Sequence, residues 1–443
     1  KEQKMDITTT LKTHQLFKAI ENGDEDLAIS LIENGANLRT QTDYGLTSLS
    51  LAIDKNLERL SLYIIDKDKS LINIPDNFQN YPLHFASKRN LNITKYLVEH
   101  GADLEICDII GLTPILLATS NNQNDIVEYL AKQGANINKT DPVGSTPLST
   151  ASKNGNLKIV KILLENGADF KKCDNFDRSP FSYALDGQYF EIAELLLSLD
   201  KNLIDEKINN RSLLHTYSLN MQENENQILF LINKGAKLNL VFNKNNSLLH
   251  KAVLQKKLNI MQAIIDHDFY VDTQNENGQT PLHLAIKNNF ENGIKLLLDN
   301  KADISITDKN GKSPLDLAYE SSNSKLIELL VNDYNDNTYG FNILLEATYT
   351  DDYKLTKKLL KCNLNINAQD FKGYTPLMYA ITNDNVKMVM LLVDNGADIN
   401  LCNKSGETPL DIAKKYGRQT IETYLIQKGA KYNKYNKHDF IEK

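Results

Sequence analysis

The chain has 443 residues, of which 24% are charged and 41% hydrophobic, a balance typical of a folded protein but too long for one ordinary globular core. Its formal net charge of −7 argues against nucleic acid as the main partner, because phosphate binding needs clustered cations. The sequence also lacks a stretch of roughly 20 apolar residues that would predict a membrane helix, and its first ten residues lack the apolar core of a secretory signal.

One alanine recurs along the chain at an interval close to 33 residues. Twelve alanines share this spacing: Ala19, Ala52, Ala86, Ala118, Ala151, Ala184, Ala252, Ala285, Ala318, Ala347, Ala380 and Ala413. The longer interval between Ala184 and Ala252 contains one degenerate copy, in which Tyr217 takes the alanine position. The pattern therefore predicts thirteen copies of one unit between residues 13 and 430.

Each copy has the sequence features of two helices and a hairpin. The most complete version reads Thr280-Pro281-Leu282-His283-Leu284-Ala285, in which Thr can cap a helix and Pro suits its first position. A second apolar stretch follows and ends at Gly-Ala, as at Gly167-Ala168, where glycine suits the left-handed position after a helix. Two short helices cannot bury their apolar faces alone, so the copies are expected to stack.

The period and the Thr-Pro-Leu-His-x-Ala pattern together resemble the ankyrin repeat. The resemblance implies an all-α ankyrin-repeat solenoid, with a helix-turn-helix and a hairpin loop in each copy. It also implies that the motif histidines His84, His215, His250 and His283 form hydrogen bonds between neighbouring copies, and that the array binds other proteins.

Irregular spacing predicts the domain organisation. Residues 1–12 are expected to form an N-terminal extension, 13–333 to contain copies one to ten, 334–430 to contain copies eleven to thirteen with a C-terminal cap, and 431–443 to form a flexible basic and aromatic tail. Copies seven and eight lack the motif proline and are weak. The step from Ala318 to Ala347 is only 29 residues, which predicts a break near 331–340 between two stacks. A single uninterrupted superhelix is the alternative.

The hairpin tips of copies two to six carry apolar residues in an unbroken series, which we call the apolar ridge: Tyr44, Phe78, Ile110, Val143 and Phe176. Leu46, Ile109 and Leu112 widen this ridge, and Lys88, Arg89 and Lys153 on the first helices add cations beside it. Exposed apolar patches of this kind are typical of protein-binding surfaces, and the cations suit a partner with an acidic flank. The alternative is that these tips merely pack on their neighbours.

A second aromatic patch occurs in copies eleven and twelve and comprises Tyr339, Phe341, Tyr349, Phe371 and Tyr374. Because this patch flanks the predicted break, it is expected to be either a second binding surface or an interface between the two stacks.

The sequence offers no pattern typical of catalysis, a metal site or a small-molecule cofactor. The four cysteines form no C-x-x-C pair, which excludes a zinc ribbon by spacing, and they are typical of reduced thiols in the cytosol. We therefore expect a non-enzymatic, cytoplasmic scaffold that binds a partner protein, acting in the host cytosol if it is a microbial effector. Two alternatives stay open: the targeting region of a larger enzyme or effector whose catalytic domain lies outside this chain, and an adaptor that uses its repeats as a spring.

Overall fold

A computed structural model describes residues 7–320, 326, 329, 330, 343–361 and 364–434. The chain divides into two compact units, Lys1–Lys237 and Leu238–Lys443. Within the described residues, both are built almost entirely from pairs of short helices, as the repeat pattern predicts.

The first unit contains copies one to seven. Its helices are α1 (Ile7–Glu21), α2 (Glu25–Glu33), α3 (Ser48–Asp54), α4 (Glu58–Lys67), α5 (Pro82–Ser87), α6 (Leu91–Glu99), α7 (Pro114–Ser120), α8 (Asn124–Lys132), α9 (Pro147–Asn154), α10 (Leu157–Glu165), α11 (Pro180–Asp186), α12 (Phe190–Leu199), α13 (Leu213–Ser218) and α14 (Glu225–Asn233). Short 3₁₀ helices follow α4 and α12, at Lys69–Asn73 and Lys201–Asp205. Strands β1 (Lys207–Ile208) and β2 (Arg211–Ser212) form the hairpin of copy seven.

The second unit contains copies eight to thirteen. Its described helices are α15 (Leu248–Leu254), α16 (Leu258–Asp266), α17 (Pro281–Lys287), α18 (Glu291–Asp299), α19 (Pro314–Glu320), α20 (Ile343–Tyr349), α21 (Tyr353–Leu359), α22 (Pro376–Thr382), α23 (Val386–Asp394), α24 (Pro409–Lys415) and α25 (Gln419–Gln427). The hairpin of copy eight contains β3 (Val241–Phe242), a 3₁₀ turn at Asn243–Asn245 and β4 (Asn246–Ser247).

The first helices of successive copies pack side by side, and so do the second helices, which gives two layers of helices. In the first unit α1, α3, α5, α7, α9 and α11 form one layer, and α2, α4, α6, α8, α10 and α12 form the other. All twelve repeated alanines are at most 2% exposed, so this small side chain lies where neighbouring helices approach most closely. The predicted all-α ankyrin-type solenoid is confirmed.

The predicted caps form at the starts of the first helices. In copy five, the Ser149 backbone N–H donates to Thr146 Oγ1 over 3.1 Å, and the Thr146 N–H donates in return to Ser149 Oγ over 2.8 Å. This reciprocal arrangement satisfies two backbone donors that the helix itself cannot pair. Pro147 occupies the first helical position, where its missing N–H costs nothing.

The first helix, α1, begins at Ile7, within the segment 1–12 that is expected to form an N-terminal extension, and this boundary stays a prediction. Residues 7–21 contain neither glycine nor proline, so no helix-breaking residue separates Ile7 from the first copy, which is expected to begin at residue 13. Thr13 Oγ1 donates to the Thr9 carbonyl over 2.8 Å, one helical turn away, which shows that the helix is regular across the predicted boundary.

The first four residues of the segment expected to form a flexible tail, Lys431–Lys434, are held against the last copy. The Lys431 N–H donates to Asn400 Oδ1 over 2.8 Å, just as the Asp398 N–H donates to Asn367 Oδ1 one copy earlier. The Asn433 N–H donates to Asp411 Oδ2 over 3.0 Å. These residues therefore occupy the position at which a following copy would begin. The rest of the tail, 435–443, lies outside the described residues, as does the predicted break at 331–340.

Candidate protein-binding surface

In copies three to six, a carboxylate at the base of the hairpin fixes the shape of the tip. In copy six, Asp174 Oδ1 accepts the N–H groups of Phe176 and Arg178 over 2.8 and 3.0 Å, and the other oxygen accepts the Tyr183 hydroxyl over 2.6 Å. Asp76, Asp108 and Asp141 bind the equivalent N–H groups of their own hairpins. In these four hairpins the tip residue is therefore held through its backbone N–H, and its side chain is exposed.

Successive hairpins are joined by a ladder of backbone hydrogen bonds. The carbonyl groups of Tyr44, Phe78 and Val143 each accept an N–H from the next hairpin over 2.9–3.0 Å. The ladder is interrupted after Ile110, because the residue in the donor position is Pro142, which has no N–H. The ridge is thus a row of tips at regular spacing on a largely fixed backbone.

The side chains of the apolar ridge are exposed. The exposed fraction is 68% for Tyr44, 51% for Phe78, 61% for Ile110, 46% for Val143 and 60% for Phe176. Among the residues predicted to widen the ridge, Ile109 is equally exposed, whereas Leu46 and Leu112 are half-buried. Leu46 packs against the core of the first copies, so it supports the ridge from below.

The three predicted cations lie at the ends of first helices, with different partners. Arg89 is 3.8 Å from the carboxylate of Asp54. The ammonium groups of Lys88 and Lys153 instead lie over aromatic rings, at 5.3 Å from the centroid of Phe85 and 5.8 Å from that of Tyr183. Neither lysine forms an ion pair with a carboxylate of the described residues.

A groove of about 560 Å³ runs behind the ridge across copies four to six. Its walls include residues that the sequence predicts for the binding surface and others that it does not predict. Among them are Leu112, Leu116, Val143, Lys153, Phe176, Arg178 and Tyr183. A groove that combines apolar walls with a few polar groups is the usual form of a binding site. The described surface thus joins an exposed ridge to a concave pocket.

Arg178 and Tyr183 line this groove but were not predicted from the sequence. The Arg178 guanidinium lies 5.6 Å from the centroid of the Tyr183 ring and 3.7 Å from Asp186. Burial, followed by the hydrogen bond to Asp174, raises the pKa of Tyr183 to about 12, so the phenol stays protonated. The sequence could have indicated Arg178 by its position, two residues after the tip residue Phe176. From there its side chain reaches Tyr183 and Asp186 of the helix that follows, α11.

The second predicted patch is only partly described, because Tyr339 and Phe341 lie outside the described residues. Tyr349 and Phe371 are exposed, and Tyr374 is half-buried. The rings of Tyr349 and Tyr374 each lie 5.3 Å from that of Tyr379, which the sequence analysis did not select. The ammonium group of Lys372 lies over the Phe371 ring, 5.4 Å from its centroid.

The buried motif histidines connect neighbouring copies. His250 Nδ1 accepts the Ser247 N–H over 3.2 Å, and its Nε2 donates to the Gln279 carbonyl of the next copy over 2.8 Å. His84 and His283 make the same pair of contacts. A ring that accepts at one nitrogen and donates at the other is neutral, and burial lowers the pKa of all three. These histidines have a structural role.

Within the described residues, His, Cys, Asp and Glu form no cluster suited to a metal ion. Cys107, Cys173 and Cys402 are free thiols. Burial, followed by the charge of Glu206, raises the pKa of Cys173 to about 11, which makes it a poor nucleophile. None of the helices that the structure describes is both long enough and apolar enough to cross a membrane.

Comparisons with known proteins agree with this architecture. A family model described as ankyrin repeats (3 copies) matches six segments, most of which overlap: residues 57–141, 139–212, 214–308, 249–340, 293–370 and 344–436. An ankyrin repeat protein of Rickettsia bellii is 37% identical over 121 residues, which cover 24% of this chain and 72% of the relative. The period, the stacked helix pairs and these matches together show that the chain belongs to the ankyrin-repeat family.

Proposed function

We propose that this chain is a non-enzymatic scaffold that binds a partner protein through the apolar ridge of copies two to six and the groove behind it. Repeats of this family generally mediate protein–protein interaction. The observation that carries the proposal is the row of exposed apolar tips: Tyr44, Phe78, Ile110, Val143 and Phe176. A contiguous exposed row of this kind is uncommon on a protein surface unless another molecule covers it.

The geometry supports binding for two further reasons. Backbone hydrogen bonds hold most of the tips, so docking a partner on them costs little ordering of the backbone. Aromatic and aliphatic anchors beside a polar groove also match the usual composition of binding hot spots. The central contacts are therefore expected at Phe78, Ile110 and Phe176, with the lysines at the rim.

A pull-down with matched variants tests this proposal. The ridge variant replaces Tyr44, Phe78, Ile110 and Phe176 with Ser. The control variant replaces Val241, Tyr270, Met390 and Ile426 with Ser, because these four side chains are also exposed but lie outside the ridge. Both variants should fold, as circular dichroism would show, and only the ridge variant should lose its partners. A folded ridge variant that retains every partner would contradict the proposal.

We further propose that the protein acts in a cytosol, including a host cytosol if it is delivered there as an effector. The three described thiols are unpaired, which supports a reducing compartment. Immunofluorescence of the tagged chain in its native cell would test this location, and labelling confined to the cell exterior would contradict it.

A further inference from the structure

We propose that the partner is held through an extended acidic segment, two of whose carboxylates, about six residues apart, bind Lys88 and Lys153. Apolar side chains between these carboxylates would contact the ridge and fill the groove. This inference rests on the proposed function and names the chemistry of the partner at the same surface.

The acidic groups around the groove already have partners within the chain. Arg89 lies near Asp54, while Asp186 accepts the Tyr217 hydroxyl over 2.7 Å and faces Arg178. Asp141 and Asp174 accept hairpin N–H groups. Asp54 and Asp186 thus each face an arginine, whereas among the described residues Lys88 and Lys153 form no ion pair with a carboxylate and lie over aromatic rings. The two lysines therefore favour an anionic ligand.

The spacing of the two lysines selects an extended segment. Both residues stand two positions after the repeated alanine, in copies three and five, so they are equivalent positions two copies apart. Stacked helical layers about 10 Å apart separate them by about 20 Å. An extended chain advances about 3.3 Å per residue and spans this distance in about six residues.

Fluorescence anisotropy with labelled synthetic peptides and the full chain tests the inference. The first peptide has Glu at its first and seventh positions and Phe and Leu between them. A second has Lys in place of both Glu residues, and a third has the same composition as the first but adjacent Glu residues. The first peptide should bind most tightly, and its affinity should fall as salt is added.

Charge reversal supplies the matched variants. Lys88→Glu with Lys153→Glu should weaken the first peptide about tenfold and make the basic peptide the tighter ligand. Lys161→Glu with Lys387→Glu changes the net charge equally, on the second helices α10 and α23, and should leave binding unchanged. Equal binding of the three peptides, equal effects of the two double variants, or no measurable binding of the first peptide would overturn the inference.

Two comparisons separate the possible failures. If the ridge variant loses its partner but the three peptides bind equally, the acidic-segment inference fails and the proposed function stands. If the ridge variant keeps its partner and also binds the first peptide as the natural chain does, the proposed function fails, and with it the inference that rests on it. Tighter binding of a single-stranded oligonucleotide with the same number of charges would overturn the inference in favour of nucleic acid.

Discussion

At the residue scale, the fourth position of the repeat motif links neighbouring copies through two different side chains. Histidine accepts an N–H at the start of its own helix and donates to a carbonyl of the next copy, as His250 does. Asp411 accepts the N–H and hydroxyl of Thr408 and also N–H groups of Asn433 and Lys434. Aspartate suits a neighbour that presents donors, and histidine suits one that presents an acceptor. The choice between them therefore depends on the next copy.

The buried histidines predict a loss of stability in mild acid. Burial lowers the pKa of His250 from 6.5 to about 4, so the unfolded chain binds a proton that the folded chain does not bind between these values. The free energy of unfolding is therefore higher above pH 6.5 and falls as the pH is lowered toward 4. For this residue the fall is on the order of 3 kcal/mol. Urea midpoints measured by circular dichroism should show this fall.

Two variants isolate the contribution of one histidine. His250→Gln should be less stable at neutral pH but should lose less stability between pH 6.5 and pH 4 than the natural chain. His14→Gln alters an exposed histidine and should keep the natural pH profile. The same pH dependence in all three proteins would show that His250 is not responsible. Midpoints are the suitable measure because repeat arrays need not unfold in one step.

At the element scale, a base carboxylate and the left-handed residue at the tip determine the hairpin. The Gly144 backbone has a φ of 86°, and a Cβ there would lie 2.8 Å from the Asn175 side chain, so glycine is required. In copies three and six the same conformation is adopted by Gln79 and Asp177, with a φ of 60° in both. The hairpin thus tolerates the loss of its glycine when the base carboxylate is present.

Replacing Asp174 tests the role of the base carboxylate. Asp174→Ala should destabilise copy six by about 2–4 kcal/mol, because the N–H groups of Phe176 and Arg178 and the Tyr183 hydroxyl lose their acceptor. Asp174→Asn should cost about 1 kcal/mol, since an amide oxygen can still accept the two N–H groups, as Asn275 and Asn403 do. Thermal unfolding of both variants would measure this difference. Equal stability of the Ala and Asn variants would contradict the assigned role.

The sequence predicts most elements of the fold but only part of the candidate site. The repeated alanine and the Thr-Pro pair locate the first helices, because capping and close packing depend on local sequence. The groove depends on Arg178 and Tyr183, whose contacts with each other and with Asp174 lie within copy six, at positions that the repeat pattern does not mark. The strand hairpins of copies seven and eight were also not predicted. Their base position has Lys207 or Phe242 instead of a carboxamide or carboxylate, and the chain forms a backbone ladder there.

At the scale of the whole molecule, the boundary between the two compact units coincides with an irregularity in the repeat pattern. The boundary between Lys237 and Leu238 falls between copies seven and eight, the two copies that the sequence identifies as weak. The entire apolar ridge lies in the first unit. In the second unit, a cleft of about 400 Å³ lies between copies ten and eleven, and its walls include Leu315, Asp316, Glu346 and Lys358. The break expected near 331–340 stays a prediction.

The central claim is that one partner protein covers the ridge of the first unit, and photo-crosslinking tests it most directly. A benzophenone amino acid is placed at Ile110 in one protein and at Tyr270, which is equally exposed in the second unit, in another. After irradiation in cells, we expect one discrete crosslinked partner from position 110 and none from position 270. Crosslinking of the same partner at position 270, with none at position 110, would contradict the account.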